Sequence, residues 1–295
     1  MDHYSNYNGF NYRDIFWGNH QRDYEDAADK NAIKKIISPT SWLLDLGGGF
    51  GRLIPSYQKK IKQVILLDGA IELLQEAALE YQEFSNINLV CAKASQLPFR
   101  DGSIDAALLF RMLHCINEQD LPQVFQELER VVRSTVYLEF ANKRNLFRIL
   151  RYLGGNREIN IFTTQPERIN NSFLNFTFPY IKDLIYKNTS FKIEQIIRLS
   201  FFRNRLFKKF IPLAILLALE SALQNFWPWN TTPSILLKLT KKIKPNGQIK
   251  NFNTFQELII CPDCHYNLNI NPATLTCLHC QKSFPRADRI INFRA

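Results

Sequence analysis

The 295-residue sequence has few cysteines, only six, and their placement excludes a disulfide framework. Four stand in two pairs near the C-terminus. The other two, Cys91 and Cys115, stand alone in apolar segments and read as small buried hydrophobes. The opening "MDHYSNYNGF" lacks the basic start, apolar run and cleavage site of a secretory leader, so a cytoplasmic protein is expected. No apolar run reaches the roughly 20 residues that a membrane-spanning helix needs, and the longest, in "FIPLAILLALESAL", falls well short. Internal repeats and low-complexity tracts are also missing. Acidic residues thin out in the middle of the chain: residues 141–250 carry 19 basic and 5 acidic side chains, against 14 and 19 over residues 1–140. The net charge of +10 is therefore regional, and it points to an anionic partner for residues 141–250, RNA or a membrane surface. A solvated basic face is the alternative.

From Ser41 onward, short apolar runs alternate with amphipathic stretches, the pattern of a parallel sheet with crossover helices. Strands are predicted at about 41–46, 63–68, 87–92, 104–110 and 135–140. Helices are predicted in "AIELLQEAALEYQEF" and in "EQDLPQVFQELERVV", where Pro122 fits a first turn. Two further strands, in "TSFKIEQIIRLSFF" and "TPSILLKLTKK", follow a short helix near 179–188 and flank an apolar insert. The binding crevice of such a sheet lies at the carboxyl ends of its strands, near the first strand.

"LLDLGGGFGR" leaves a predicted strand and opens toward a helix, and its four glycines let backbone amides approach a polar ligand group. A tight turn with no ligand would look similar. Asp68, at the end of the next strand and about 20 residues on, can accept from both hydroxyls of a ribose, which favours a nucleoside cofactor. The glycines run G-x-G-x-G, where dinucleotide loops prefer G-x-G-x-x-G. Asp45, two residues ahead, is awkward beside a pyrophosphate but suits a cationic amino-acid group.

On these residues the sequence resembles the class I S-adenosylmethionine-dependent methyltransferases, within the group of ubiquinone and menaquinone methyltransferases. "LLDLGGGFGR" is similar to their D-x-G-x-G-x-G motif, and "VILLDGAIELLQEA" to their second strand and its helix. "ASQLPFRDGSIDAALLFRMLHCI" and "LERVVRSTVYLEFANKRN" are similar to the segments around their fourth and fifth strands. The resemblance covers about residues 41–141. It implies that Asp45, Gly47 and Gly49 hold the amino-acid part of S-adenosylmethionine, with Gly51 in the same cofactor-binding loop, Asp68 its ribose, and the segment from Lys93 through Ala94 to Leu97 its adenine. It also implies that His114 and Arg111 sit beside the methyl group or acceptor. The chain departs from the family at Lys93, where relatives carry an acid, and near the fifth strand, where "VVRSTVYLEF" lacks their paired glycines. Methyl transfer demands positioning more than a strong base. His114, Glu139 and Tyr24 are candidates to assist a proton, and a structural role for His114 stands beside that.

"CPDCHYNLNINPATLTCLHC" sets two C-x₂-C knuckles twelve residues apart, so Cys261, Cys264, Cys277 and Cys280 are expected to form a closed, structural Zn²⁺ site. His265 and His279 are expected beside the site rather than in it. The tail resembles the small zinc-ribbon proteins that activate methyltransferases, with Phe284-Pro285 and Asp288-Arg289-Ile290 at the positions of their tyrosine-proline and aspartate-glycine-isoleucine. A unit this small needs its metal to fold, and it is expected to fold apart from the rest.

The expected fold is thus α/β: a doubly wound Rossmann-like methyltransferase sheet with helices on both faces, plus a small C-terminal zinc ribbon. The expected boundaries are a helical cap over 1–40, a methyltransferase domain over 41–245 with a basic, apolar insert at about 142–230, and the ribbon over 255–295. The insert reads as a lid packed over the site or against the ribbon, as a membrane-surface helix, or as a nucleic-acid contact. The expected activity is methyl transfer from S-adenosylmethionine to an unidentified acceptor, a small hydrophobic or anionic molecule, RNA or protein. The alternatives are a non-catalytic cofactor-binding interaction module and, more distantly, an NAD-dependent oxidoreductase.

Overall fold

The computed structural model describes residues 12–18, 22–158, 160–169, 173–241 and 251–294. Most of the linker "KKIKPNGQIKN" and the first residues of the expected cap lie outside them. The elements run α1 (Tyr12–Trp17), α2 (Asp23–Ile36), β1 (Thr40–Leu46), α3 (Ile54–Tyr57), β2 (Ile61–Asp68), α4 (Ile71–Glu80), β3 (Ile87–Cys91), β4 (Ile104–Leu109), α5 (Leu121–Val131) and β5 (Val132–Ala141). The insert follows: α6 (Leu146–Leu153), a hairpin of β6 (Glu167–Ile169) and β7 (Phe173–Asn175), α7 (Phe178–Asn188), β8 (Lys192–Leu199), α8 (Arg205–Phe210) and α9 (Leu213–Phe226). Then come β9 (Ser234–Thr240) and the tail strands β10 (Leu268–Ile270), β11 (Thr274–Cys277), β12 (Ser283–Ala287) and β13 (Ile290–Asn292).

Eleven of these strands form one sheet in the order β10-β11-β12-β13-β3-β2-β1-β4-β5-β9-β8. β1 is buried from Trp42 to Leu46, as a central parallel strand covered on both faces must be. Its side chains alternate between two cores. Leu44 and Leu46 join Val124, Phe125 and Leu128 of α5 and Ile181 of α7 on one side. Leu43 joins Ile33 and Ile36 of α2, Tyr57 of α3 and Leu74 of α4 on the other. Helix α5 buries Leu121, Val124, Phe125, Leu128 and Val131, one stripe at helical spacing, with its proline in the first turn. Strand order reverses between β1 and β4, so a crevice opens at their carboxyl ends.

The tail is part of this sheet. β13 pairs in parallel with β3, Ile290 opposite Leu89 and Asn292 opposite Cys91. Cys261, Leu275, Phe284 and Phe293 belong to the same apolar core as Val90, Leu97 and Phe99. Upstream, the Trp42 indole donates to the Phe252 carbonyl at 2.9 Å, and Ile259 bridges Phe99. An independently folding tail was expected; one sheet and one core run through both parts instead.

Within the insert, β9 and β8 extend the sheet in antiparallel fashion beyond β5. α9 lies against α2 through Leu216 and Glu220: the Tyr24 hydroxyl donates to the Glu220 carboxylate, which also accepts from the amides of Ser200 and Phe201. Along the rest of α9, Leu213, Ile215 and Leu219 face solvent. Helix α6 has its amphipathic pattern reversed. Leu146, Leu150 and Leu153, on one stripe, are exposed, while Arg148 and Arg151 on the opposite stripe line a cavity. Among the described residues, no helix is long and apolar enough to cross a membrane.

Candidate functional site

Two adjoining cavities occupy the crevice. The first, of about 470 Å³, lies at the carboxyl ends of β1, β2 and β4 and is walled by Asp45, Gly47 to Phe50, Asp68, Ala94 and Met112. The turn after β1 is built for main-chain exposure. Gly47, Gly49 and Gly51 adopt φ of 75°, 56° and 83°, left-handed values that disfavour a side chain. A Cβ on Gly47 would lie 2.4 Å from Met112 Cγ. A Cβ on Gly49 would make only ordinary contact, 3.5 Å from Leu73, and the Gly49 amide donates to Asp68 Oδ2 at 2.9 Å. Asp68 Oδ1 accepts from the Ala70 amide at 2.9 Å, which fixes the carboxylate at the cavity wall with lone pairs left on both oxygens. Burial raises the pKa of Asp68.

Asp45 sits under this loop, buried, with Oδ2 accepting from the Tyr57 hydroxyl at 2.6 Å. Burial pushes its pKa up to about 7, because the Tyr57 hydrogen bond and the Arg52 charge return only part of the lost hydration. The other expected cofactor residues divide. Ala94 lines the cavity. Gly51 stands behind the loop, where a Cβ would lie 2.7 Å from both Ile54 and Tyr81. Lys93 is not among the lining residues, and Leu97 is fully buried in the core with its amide donating to Glu127 at 2.6 Å. Two lining residues come from the tail: Asn292 and Arg294, carried in by the pairing of β13 with β3. The Arg294 guanidinium donates to the Gly69 carbonyl, and its charge favours ionised Asp68.

The second cavity, of about 650 Å³, is bounded by α1, α6, β7 and the start of α8, and shares Trp17, Arg111 and Cys115 with the first. Cys91 is buried as expected, but Cys115 is half-buried on this common wall. Arg111 has φ 54°, its amide donates to Glu139 Oε2 at 2.9 Å, and its guanidinium grips both oxygens of the buried Asp29. It thereby ties α2 to the end of β4. His114 packs edge-on against Phe173, ring centroids 4.9 Å apart. Burial and the charges of Arg111, Arg203 and Arg22 lower its pKa to about 3, so its imidazole is neutral at physiological pH. Glu139 lines the cavity and accepts from Ser234, and burial raises its pKa. Tyr24, the third proton-handling candidate, lies in the α2–α9 contact, and neither cavity includes it. In the sequence, Arg148, Arg151 and Arg203 belong to basic, aromatic segments that read as contacts for an anionic surface; their meeting around one cavity with Trp17 is not signalled by any spacing.

In the tail, the sulfur atoms of Cys261, Cys264, Cys277 and Cys280 all lie within 4.8 Å of one another. The pairs Cys261–Cys280 and Cys264–Cys277 are 3.7 and 3.4 Å apart. A tetrahedron of sulfurs about 2.3 Å from a zinc ion has edges of roughly 3.8 Å, so the four thiolates fit Zn²⁺. His279 stacks on Tyr266 at 4.2 Å and is not in the cluster, nor is His265.

Residues 44–140 match the family model described as a methyltransferase domain. The chain is 34% identical over 132 residues to the malonyl-[acyl-carrier protein] O-methyltransferase of Marinomonas sp. (strain MWYL1), covering 41% of this chain and 47% of that protein. It is 29% identical over 126 residues to the ubiquinone/menaquinone biosynthesis C-methyltransferase of Hahella chejuensis (strain KCTC 2396), covering 40% and 48%. It thus spans about half the length of the curated relatives it matches. The fold is also that of a chain in the complex of the Haloferax volcanii Trm112 methyltransferase activator, with a TM-score of 0.55 at 14% identity over 81% of this chain and 96% of that one.

Proposed function

We propose, from the premise that residues 44–140 form a methyltransferase domain, that this protein binds S-adenosylmethionine in the first cavity and transfers its methyl group to an acceptor held in the second. One observation carries the reading: a left-handed glycine turn, a buried carboxyl beneath it and a fixed carboxylate at the end of the next strand all line one cavity. The groups fit the cofactor. The bare main chain at Gly47 and Gly49 leaves room for it, Asp45 lacks a cationic partner in proportion to its burial, and Asp68 has lone pairs for a ribose diol. A pyrophosphate over Asp45 would meet like charge, which disfavours a dinucleotide. Ala94 and the neighbouring main chain border the adenine end, with Arg294 and Asn292 closing that side.

When bound, the cofactor offers an electrophilic methyl carbon: the acceptor's lone pair forms the new bond, and the electrons of the breaking carbon–sulfur bond remain on sulfur. Trp17, Arg111 and Cys115, on the shared wall, hold the two ligands in line and keep water from the path. His114 is neutral and weakly basic, so it orients an acceptor by hydrogen bonding rather than retaining a proton. Equilibrium binding of S-adenosylmethionine against NAD tests the cofactor. Mass spectrometry of cell extract incubated with an isotopically labelled methyl donor then finds the acceptor. Tighter binding of NAD overturns the reading.

For the basic region, exposed apolar side chains favour a lipid surface over RNA. Leu150, Leu153, Leu206, Phe210, Leu213 and Leu219 face solvent beside Lys209, a mixture suited to anionic headgroups and acyl chains. A phosphate backbone has no use for the leucines. Flotation with vesicles containing phosphatidylserine, and its loss in Leu150→Glu/Leu153→Glu, is expected. Binding of RNA but not vesicles reverses the assignment.

A further inference from the structure

Helix α6 turns its leucines to solvent, while Arg148, half-buried, and Arg151, itself exposed, line the second cavity from its opposite stripe; the partial burial of Arg148 costs free energy unless something there needs the charge. Arg148 and Arg151 from α6 meet Arg203, just ahead of α8, and Arg205, its first residue, around the second cavity. Among the described residues, none of these four makes an ion pair. Arg148 is held by the neutral Asn175 side chain, Oδ1 at 2.9 Å. Of the nearby acids, Asp29 is taken by Arg52 and Arg111, Glu25 by Lys208, and Glu139 accepts from Ser234 and the Arg111 amide. The guanidiniums feel one another: Arg203 and Arg151 oppose the charge of Arg148, offset in part by Glu158, and Arg111 and Arg22 oppose that of Arg203, offset in part by Glu25 and Glu139. Burial and this repulsion bring Arg148 down to about 10. Between the arginines, Phe16, Trp17, Phe147 and Phe173 supply flat apolar walls.

We propose that this chamber is the acceptor subsite and that it takes a molecule bearing an oxyanion, phosphate or carboxylate, on a flat or apolar body, with Arg148, Arg151 and Arg203 as its clamp. The assignment to the acceptor rests on the methyl-transfer reading above; the oxyanion site itself rests on the arginines alone. Guanidinium forks match the paired oxygens of both groups, and a partly enclosed, apolar-walled cavity strengthens such pairs. The shared wall of Trp17, Arg111 and Cys115 sets the clamped molecule next to the cofactor cavity.

The test uses the full-length, zinc-loaded chain at fixed ionic strength, with chloride replaced stepwise by inorganic phosphate or by malonate, and calorimetry as the readout. At least one of the two is expected to bind saturably, and which one identifies the oxyanion. Arg151→Gln/Arg203→Gln is expected to weaken that binding at least tenfold, to keep its affinity for S-adenosylhomocysteine, and to melt higher than the wild type without oxyanion, since a repulsion has gone. A structural role for the arginines would make the variant melt lower, and that result overturns the proposal. So does the lack of saturable binding of both ions, or unchanged affinity in the variant. Failure of the wild type to bind S-adenosylhomocysteine would remove the methyl-donor reading while the oxyanion result stood by itself.

Discussion

The Tyr57 hydroxyl donates to Asp45 Oδ2 at 2.6 Å under the glycine loop, yet this bond offsets only part of the cost of burial, which raises the carboxyl's pKa to about 7 against 3.8 in an unfolded chain. A folded pKa raised in this way stabilises the protein below the unfolded value, and that contribution is lost as pH rises toward 7. A cationic ligand above Asp45 reverses the balance by favouring the ionised form. S-Adenosylmethionine is therefore expected to release a proton on binding near pH 6 and to bind more weakly as pH falls below about 7. Calorimetry in buffers of different ionisation enthalpy measures this; affinity that stays flat from pH 5.5 to 8 contradicts it. Asp45→Asn should lose roughly 1.5–3 kcal/mol of binding, tenfold or more, through the missing charge-assisted hydrogen bond, while the free protein melts higher at pH 8.

Gly47 and Gly102 separate backbone strain from site geometry. Both have positive φ, 75° and 57°, but a Cβ on Gly47 strikes Met112 in the cavity wall, whereas Gly102 has nothing within 4 Å. Alanine at either position costs roughly 1–2 kcal/mol for the left-handed backbone. Gly102→Ala should lower the melting temperature and leave cofactor affinity alone. Gly47→Ala should do both kinds of damage, with affinity down tenfold or more. Equal affinities in titrations of the two variants would mean that the loop does not hold the ligand.

The proposed zinc and cofactor sites are joined through β13. The knuckles fix the tail strands, β13 pairs with β3, and two residues past its end Arg294 reaches the Gly69 carbonyl beside Asp68. Removing the metal frees Asn292 and Arg294 from the cavity wall and leaves β3 as an open edge. Chelation is expected to lower the melting temperature and the affinity for S-adenosylmethionine together, with both restored by added Zn²⁺. Arg294→Ala should reproduce the loss of affinity with zinc still bound, read by calorimetry and metal analysis. Undiminished affinity after chelation would return the tail to the status of a separate unit.

Much of the central sheet was legible because its signals are local. Strands that must be buried on both faces read as apolar runs, and the predicted 41–46 and 104–110 lie within a residue of Thr40–Leu46 and Ile104–Leu109. The paired C-x₂-C spacing likewise carries its geometry in the sequence, and the four sulfurs do converge. What escaped depends on distant pieces meeting. Nothing around Arg294 signals that a parallel pairing with β3 carries it to Asp68. Tyr57 lies twelve residues from the carboxyl it serves. The arginine chamber draws on α1, α6 and α8, and its strongest local clue was α6 itself, whose leucine stripe reads as a core face yet lies in solvent. Periodicity locates a stripe, but it does not say on which side the water is.

Arg289 explains a departure in the tail's last turn. Asp288 and Arg289 have φ of 48° and 68° in the hairpin between β12 and β13, a conformation for which glycine is better suited than arginine. The side chain compensates. Nη1 donates to the carbonyls of Tyr81 and Gln82 at 2.9 and 3.0 Å, and Nη2 to those of Phe84 and Ile87 at 2.7 and 3.2 Å. One guanidinium thus satisfies four acceptors between α4 and β3 and clamps the tail to the strand it pairs with. Arg289→Gly relieves roughly 1 kcal/mol of strain but removes four charge-assisted bonds, each worth about 1 kcal/mol or more, so a net loss of about 3 kcal/mol or more is expected. The thermal midpoint should fall by several degrees with the zinc content unchanged. Arg289→Lys keeps the charge but loses the fork, and should fall between the two. A glycine variant more stable than the wild type would show that the turn, and not the clamp, governs this corner.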